Sequence, residues 1–398
     1  MFERGPFTPC PQCGRQDSVG LLGAGGDAVT FRCRGCRYSF SDALPAVEKD
    51  AVYLDQFAVS ALFKVRAGRD LGPHAQFWRD LSEAANLALL RQQVVFPTSD
   101  VHHRETIISP FAGPLREAYE LMGGDIEFKD THQVEMAQAW AVVDAVLENR
   151  EPVFDLDIDN MLMGRRNVWL PDMHIGVNGD YGQFADEIRA SMDRTHDGMQ
   201  GLVQMWAAER PAFAEAFERE LASYGPNKRG ALRRATEAFQ RVNEDTDVLG
   251  LLAAIHDPIW QEYLTLKETL RRRGVAEGQI DLTIGTIWDD PRNRQQPHFR
   301  LSSALFAALA WKVANGQRRV TRGFVNDVTA IASYGHSVHA MFVDNECAAL
   351  IRDLPEAERP RARIFSLNER DDFLGYVRGL ADRASPEVIA HAQRIYGV

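Results

Sequence analysis

Cysteine is confined almost entirely to one end of this chain. Four of its five cysteines form two Cys-x2-Cys pairs, and 19 residues separate the pairs. The four are Cys10, Cys13, Cys33 and Cys36. Each pair can present two thiolates to one cation at about 2.3 Å, so that two pairs complete a tetrahedron. The spacing therefore predicts a small module at the N-terminus that folds around a metal ion.

The segment around these cysteines resembles a zinc ribbon, and we place it in residues 1–42. The runs VTFRCRGC and RYSF alternate in the manner of short strands. Two disulfides are the alternative. The first ten residues lack the pattern of a secretory signal, so we expect a cytoplasmic protein, in which disulfides are rare. Four thiolates leave no open coordination position, so the predicted Zn²⁺ is structural.

The composition is that of a globular protein with an acidic total charge. Hydrophobic residues make up 45%, charged residues 25%, and the formal net charge is −11. No stretch approaches the roughly 18 apolar residues of a membrane-spanning helix, so we expect no membrane association. The acidic total argues against a protein that coats nucleic acid nonspecifically. Basic clusters at 32–37, 228–241 and 271–273 are either solvated faces or local contacts for nucleic acid.

Strand and helix patterns alternate in two separate parts of the chain. After a linker at 41–50, strands are predicted at 51–55 and in VVFPTSD, each followed by a helix. The pattern returns with a helix at 323–335 and strands at 337–344 and 362–368. Such alternation predicts an α/β domain with a parallel sheet.

The residues between these two parts have helical rather than strand periodicity. We therefore predict an α/β domain in two pieces, 50–106 and 321–398, with a mainly helical insertion at 107–320. The predicted helices of this region are 132–148, 183–208, 211–223, 229–242 and 300–314. We find no internal repeat and no glycine-rich motif that would predict nucleotide binding.

Four acids occupy comparable positions in the two α/β parts. Asp55 and Asp344 end predicted strands, Glu105 lies in the helix after the second strand, and Asp327 begins the helix before the third. Ligands of open parallel sheets bind at the carboxyl ends of the strands. Carboxylates that gather there require a hard divalent cation such as Mg²⁺ or Mn²⁺. Taken singly, each strand-end acid could instead cap the next helix.

Three segments resemble the PIN-domain and PIN-like nucleases: AVYLDQFAVSAL, VVFPTSDVHHRET and FVNDVTAIASYGHSVHAMFVDNECAALI. The resemblance covers residues 50–106 and 320–380. It implies a Rossmann-like α/β/α sandwich whose acids hold Mg²⁺ or Mn²⁺ and cleave RNA, less often DNA. The implied acids are Asp55, Glu105, Asp327 and Asp344. One departure is His339, where an acid could be expected, and it puts the number of metal ions in doubt.

Neighbouring polar residues are candidates for substrate contacts. His102 lies three residues before Glu105 and can share its helix face, although a core histidine is the alternative. Gln56 and Asn345 adjoin the two strand-end acids. Glu346 could be an outer ligand or simply exposed, and Cys347 is predicted to be a small core residue.

Two functions from different classes follow from the sequence. The first is a metal-dependent nuclease, with RNA favoured over DNA only by the resemblance, and with a role as a toxin or antiviral effector as one biological setting. The second is a noncatalytic adaptor that binds nucleic acid or protein through the ribbon and the insertion. A protein partner or a second copy of the chain remains open.

Overall fold

The computed structural model describes residues 3–124, 126–170, 185–241, 257–316 and 320–398. The protein is mixed α/β, with a parallel sheet, a separate antiparallel sheet and many helices. The strands are β1 Arg4–Thr8, β2 Val19–Gly25, β3 Ala28–Cys33, β4 Ser39–Ala43, β5 Asp50–Leu54, β6 Val94–Val95, β7 Glu127–Phe128, β8 Leu162–Met163, β9 Ala340–Phe342 and β10 Arg363–Phe365.

The α-helices of the described residues are numbered in chain order. They are α1 Gln56–Arg66, α2 Ala75–Leu90, α3 Asp100–Ile107, α4 Ala112–Gly123, α5 Thr131–Leu147, α6 Ile158–Met161, α7 Ala185–Glu209, α8 Phe213–Ala222, α9 Tyr224–Arg241, α10 Pro258–Arg272, α11 Glu277–Asp289, α12 Pro297–Ala314, α13 Phe324–Tyr334, α14 Asn345–Asp353, α15 Arg370–Asp382 and α16 Pro386–Tyr396. None of the helices in these ranges is long and apolar enough to cross a bilayer.

The N-terminal sheet has four antiparallel strands in the order β1-β2-β3-β4. Its last strand extends into the segment that was predicted to be a linker. The sheet packs on α16, where Val388 and Ile395 share an apolar cluster with Phe31 and Trp169. The Arg394 guanidinium lies 4.0 Å from the centre of the Phe31 ring. The ribbon is therefore anchored to the C-terminal end of the chain.

The second sheet is parallel, with the strand order β10-β9-β5-β6. Its two central strands come from opposite ends of the sequence, and Leu54 is paired with Phe342. Strands β6, β9 and β10 are shorter than predicted, whereas β5 has the predicted length. Strand β6 ends before Pro97, which has no N–H to donate, and Thr98 instead bridges to Glu127.

Both faces of the parallel sheet are buried. Tyr53 and Met341 point toward a cluster that contains residues of α12, α13 and α14. Leu54 and Phe342 point the other way, toward α1, α2 and α15. A strand covered on both sides must be apolar at successive positions, which accounts for the continuous runs AVYL and AMFV.

The central region is mainly helical, as predicted. The five helices with predicted ranges are found as α5, α7, α8, α9 and α12, whereas α4, α6, α10 and α11 had no predicted range. Residues 183, 184 and 242 of the predicted helices lie outside the described residues. The small antiparallel pair β7–β8 was not predicted. Helix α12 packs directly against the sheet, because Ala304, Leu305 and Leu309 belong to the same apolar cluster as Met341. This part of the region therefore contributes to the core of the α/β domain.

Candidate functional site

Asp55 and Asp344 lie at the carboxyl ends of the two central strands. The Asp55 N–H donates to the Phe342 carbonyl oxygen at 3.0 Å, which extends the pairing of β5 with β9 by one residue. Asp344 follows the end of β9 by two residues. Because these strands are parallel neighbours, both acids reach the same edge of the sheet. We call this edge, with the four acids predicted to gather there, the acidic rim.

Helices from both halves of the domain bring Glu105 and Asp327 toward this rim. Glu105 lies in the second turn of α3, and Asp327 lies in the first turn of α13. The Asn326 amide Nδ2 donates to Glu105 Oε1 at 3.1 Å, which links the two helices. Asn326 therefore orients a rim acid.

Burial and mutual repulsion dominate the electrostatics of the rim. Burial raises the pKa of Asp327, and the nearby carboxylates of Asp55, Asp344 and Glu105 raise it further. The pKa of Asp55 is raised by burial and then by Glu105 and Asp344. Burial also raises the pKa of Glu105, against the opposing effect of the Asn326 hydrogen bond. These interactions place all four predicted acids in one electrostatic cluster.

Asp327 and Asp344 form the tightest part of the rim, together with Cys347. One carboxylate oxygen from each acid and the Cys347 Sγ atom all lie within 4.8 Å of one another. Asp344 also caps α14, because its Oδ1 accepts the Cys347 N–H at 2.6 Å. The capping alternative therefore holds for one oxygen of Asp344. The Asp55 side chain makes no such capping hydrogen bond, although the backbone N–H groups of Phe57 and Gln56 oppose the rise in its pKa.

His102 lies inside the protein rather than at the rim surface, with 1% of its area exposed. Its Nε2 donates to the Leu54 carbonyl oxygen at 2.8 Å, and its Nδ1 accepts the Ser99 N–H at 3.1 Å. Burial lowers the pKa of His102 to about 4, so the ring is neutral. Both ring nitrogens are occupied, so the predicted direct contact between His102 and substrate does not fit its position.

Gln56 and Asn345 have different surroundings. Gln56 Oε1 accepts the hydroxyl of the buried Tyr119. Asn345 is exposed beside the rim, and its Oδ1 accepts the Asn368 N–H at 3.2 Å. Of the two, Asn345 is the better placed to contact a substrate. Glu346 is half-buried and adds to the repulsion at Asp327.

His339 lies at the opposite end of strand β9 from the rim. Its Nδ1 accepts the Ala51 N–H at 3.1 Å, and its Nε2 lies 4.0 Å from Asp50 Oδ1. An acid at this position would not reach Asp344 across the length of the strand. The histidine therefore carries no information about the number of rim metal ions.

The four N-terminal cysteines converge, and none of them forms a disulfide. The Sγ atoms of Cys10 and Cys36 are 3.7 Å apart, and those of Cys13 and Cys33 are 3.9 Å apart. A tetrahedron with metal–sulfur bonds of about 2.3 Å has edges of about 3.8 Å. A disulfide requires about 2.05 Å between sulfur atoms. The quartet therefore has the geometry to bind a metal such as zinc.

Most of the predicted basic clusters are neutralised by nearby acids. Lys228 Nζ lies 2.8 Å from Glu262 and 3.2 Å from Glu135. In the second run, Arg271 and Arg273 each lie 2.6 Å from an acid. These contacts favour a structural role for the two runs in the helical region. Exposed arginines of the ribbon remain available for a contact with phosphate, namely Arg15 and Arg37.

Comparison of the chain with protein-family models, with curated proteins and with solved structures gives no match. Inference about function therefore depends on the chemistry of the rim and of the cysteine quartet.

Proposed function

We propose that this protein is a divalent-metal-dependent nuclease, in which the parallel sheet and its covering helices form a PIN-like α/β/α domain. The rim acids Asp55, Glu105, Asp327 and Asp344 would hold Mg²⁺ or Mn²⁺, and the cysteine quartet would hold a structural Zn²⁺. RNA is proposed over DNA only on the resemblance of the sequence to PIN-like nucleases.

The observation that carries this proposal is the gathering of other carboxyl groups around Asp327. Its neighbours in the electrostatic cluster are other acids, and within the described ranges neither Asp55, Asp327 nor Asp344 forms an ion pair with a basic side chain. Buried carboxylates in such a group must take up protons or bind a cation. Carboxylate oxygens are the ligands that hard divalent cations prefer, so the donor set fits Mg²⁺ or Mn²⁺.

The chemistry supplied by a bound cation is activation of water and stabilisation of charge on a phosphodiester. The chain itself would contribute three things. The carboxylates position the reacting groups at the strand ends, and the buried wall formed by Tyr53, His102 and Tyr119 keeps water away from one side of the rim. The exposed Asn345 amide can donate to a nucleotide.

A cleavage assay tests this proposal. The parent protein should cut single-stranded RNA in Mn²⁺ or Mg²⁺ and lose that activity in a chelator. Asp327→Asn and Asp344→Asn should each lose at least about a hundredfold in rate, since each removes a ligand of the proposed centre. Asp382→Asn is the matched control, because its side chain is 80% exposed and lies at the far end of α15. Cleavage by Asp327→Asn at the parental rate would refute the assignment.

The adaptor remains the second candidate function, supported by the exposed arginines of the ribbon. It predicts RNA binding that survives Asp344→Asn and is lost on charge reversal of Arg15 and Arg37. A role as a toxin or defence effector is a separate proposal about biology. It predicts that expression of the parent arrests growth and that Asp344→Asn relieves the arrest.

A further inference from the structure

A cavity at the amino ends of β9 and β10, the opposite edge of the sheet from the acidic rim, has an excess of basic side chains. Its volume is about 330 Å³, at the lower end of the range for small-molecule sites. It lies between the start of α12, the short turn Glu356–Glu358 and the segments that lead into the two strands. Its titratable lining residues are Arg300, His336, Glu358, Arg359 and Arg361. Three arginines thus face one acid, although the chain as a whole has a formal net charge of −11.

The acid of this cavity neutralises one of the three arginines. Arg300 Nε donates to Glu358 Oε2 at 2.7 Å, and Arg300 Nη2 donates to the other oxygen. Arg359 donates instead to two backbone carbonyl oxygens at 2.8 and 2.9 Å, which fix its guanidinium without cancelling its charge. Within the part of the chain that the structure describes, neither Arg359 nor Arg361 forms an ion pair with an acid. Two positive charges are therefore left for an anion.

Backbone packing brings Arg361 close to His336. The Ala362 N–H donates to the Gly335 carbonyl oxygen at 2.9 Å, which joins the two segments. A Cβ atom at Gly335 would lie 2.9 Å from the Cβ of Pro360, so only glycine allows this close approach. Burial lowers the pKa of His336, and the charge of Arg361 lowers it further, against the opposite effect of the cavity's acid. The histidine therefore senses charge inside the cavity.

We propose that this cavity binds a phosphate monoester, with Arg359 and Arg361 as the groups that contact the phosphate. Guanidinium groups bind phosphate through paired, charge-assisted hydrogen bonds, and a dianion matches the two uncompensated charges. Leu156, Pro297 and Leu301 provide an apolar wall for a sugar or base. The cavity volume limits the bound part of the ligand to about one nucleotide, either free or at the 5′ end of an RNA. This site lies at the far edge of the sheet and does not depend on the proposed nuclease activity.

Calorimetric titration of the zinc-loaded protein with AMP, in the absence of Mg²⁺ and Mn²⁺, tests this inference. AMP should bind to the parent, and adenosine, which lacks the phosphate, should bind at least about tenfold more weakly. Arg361→Gln should lower the affinity for AMP by about tenfold or more, because it removes a charge-assisted contact. Arg361 is exposed and makes no ion pair within the described residues, so the variant should fold. The matched control is Arg378→Gln, an exposed position on α15, which should change the affinity by less than about twofold.

Histidine NMR signals locate the bound phosphate. The imidazole signal of His336, assigned with His336→Asn, should move when AMP is added, and the pKa of His336 should rise because a nearby anion stabilises the imidazolium ion. The signal of His391, which lies beside Trp169 at the ribbon, should not move.

Short RNAs with a 5′-phosphate or a 5′-hydroxyl group identify the source of the phosphate. Tighter binding of the phosphorylated RNA than of AMP would assign the cavity to RNA ends, and tighter binding of AMP would assign it to free nucleotides. Binding of both ligands that Arg361→Gln leaves unchanged would overturn the inference, as would a His336 signal that neither ligand moves. A parent protein that binds neither AMP nor the phosphorylated RNA would also overturn it.

Discussion

The Nε2 atom of His102 donates a 2.8 Å hydrogen bond to the carbonyl oxygen of Leu54, the residue that precedes the rim acid Asp55. This bond joins α3, which carries Glu105, to the carboxyl end of β5. On the other side of the ring, Nδ1 accepts the Ser99 N–H and completes a capping box at the start of α3. We infer that His102 positions Glu105 relative to Asp55.

We expect His102→Ala to lower the free energy of unfolding by about 2–4 kcal/mol, through loss of a buried ring and of the helix cap. The affinity for Mn²⁺ should fall by about tenfold, since residues that orient ligands affect metal binding to this extent. His102→Gln can restore the capping box and should recover part of the stability. Denaturant unfolding and calorimetry measure the two effects. A folded His102→Ala protein with parental Mn²⁺ affinity would show that the ring does not position the rim.

We expect Asp327→Asn to stabilise the metal-free protein at about pH 8 by about 1–2 kcal/mol. The pKa of Asp327 is raised in the folded state, so folding takes up protons and the parent loses stability as the pH rises above about 4. Asparagine does not ionise, so the difference in the free energy of unfolding between the two proteins should vanish near pH 4. Thermal unfolding at several pH values, with zinc retained in the ribbon, tests this.

The same variant should respond less to metal. Mn²⁺ should raise the melting temperature of the parent more than that of Asp327→Asn, because only binding to the folded state stabilises it. A parent that gains stability relative to the variant as the pH of the metal-free sample rises would be incompatible with repulsion at the rim.

Lys49→Met should stabilise the protein by about 2–4 kcal/mol near pH 7. Lys49 is 0% exposed, and within the described residues its Nζ atom has no hydrogen-bond partner. Burial lowers its pKa to about 7, so folding releases a proton and stability falls as the pH drops from about 10 toward 7. The exposed Lys64 provides the control, and Lys64→Met should change little. A Lys49→Met protein less stable than the parent at pH 7 would contradict this reasoning.

Cys36→Ser should remove zinc from the ribbon, because three thiolates bind zinc less tightly than four. Metal analysis should find about one zinc per chain in the parent and in Cys347→Ser, and much less in Cys36→Ser. Thiol titration of the unfolded, metal-free parent should detect all five cysteines as free thiols. Two disulfides in the ribbon would leave only Cys347 reactive and would rule out the zinc assignment.

Much of the local structure could be predicted from sequence because it depends on short-range patterns. Periodicity located five of the helices of the central region, and the apolar runs located β5 and β9. The extent of strand pairing was overestimated, since it depends on partners far away in sequence: β9 is limited to three residues by the neighbours it meets. The role of α12 in covering the sheet is likewise a long-range property.

The rim shows the same division between local and long-range information. The positions of Asp55 and Asp344 after apolar strands predicted which edge of the sheet they would reach. The burial of His102 could not be read from its spacing to Glu105, because it depends on Tyr53 and Tyr119, which stack around the ring. Cys347 was missed as a rim residue. The available signal was its position three residues after Asp344, which places both at the start of one helix.

Diffraction from crystals soaked in Mn²⁺, recorded with anomalous scattering, tests the central claim most directly. The account predicts an anomalous peak at the rim within bonding distance of Asp327 and Asp344, with Asp55 and Glu105 around it, and no such peak in crystals of Asp327→Asn. Crystals that take up manganese elsewhere and leave the rim carboxylates without a cation would contradict it.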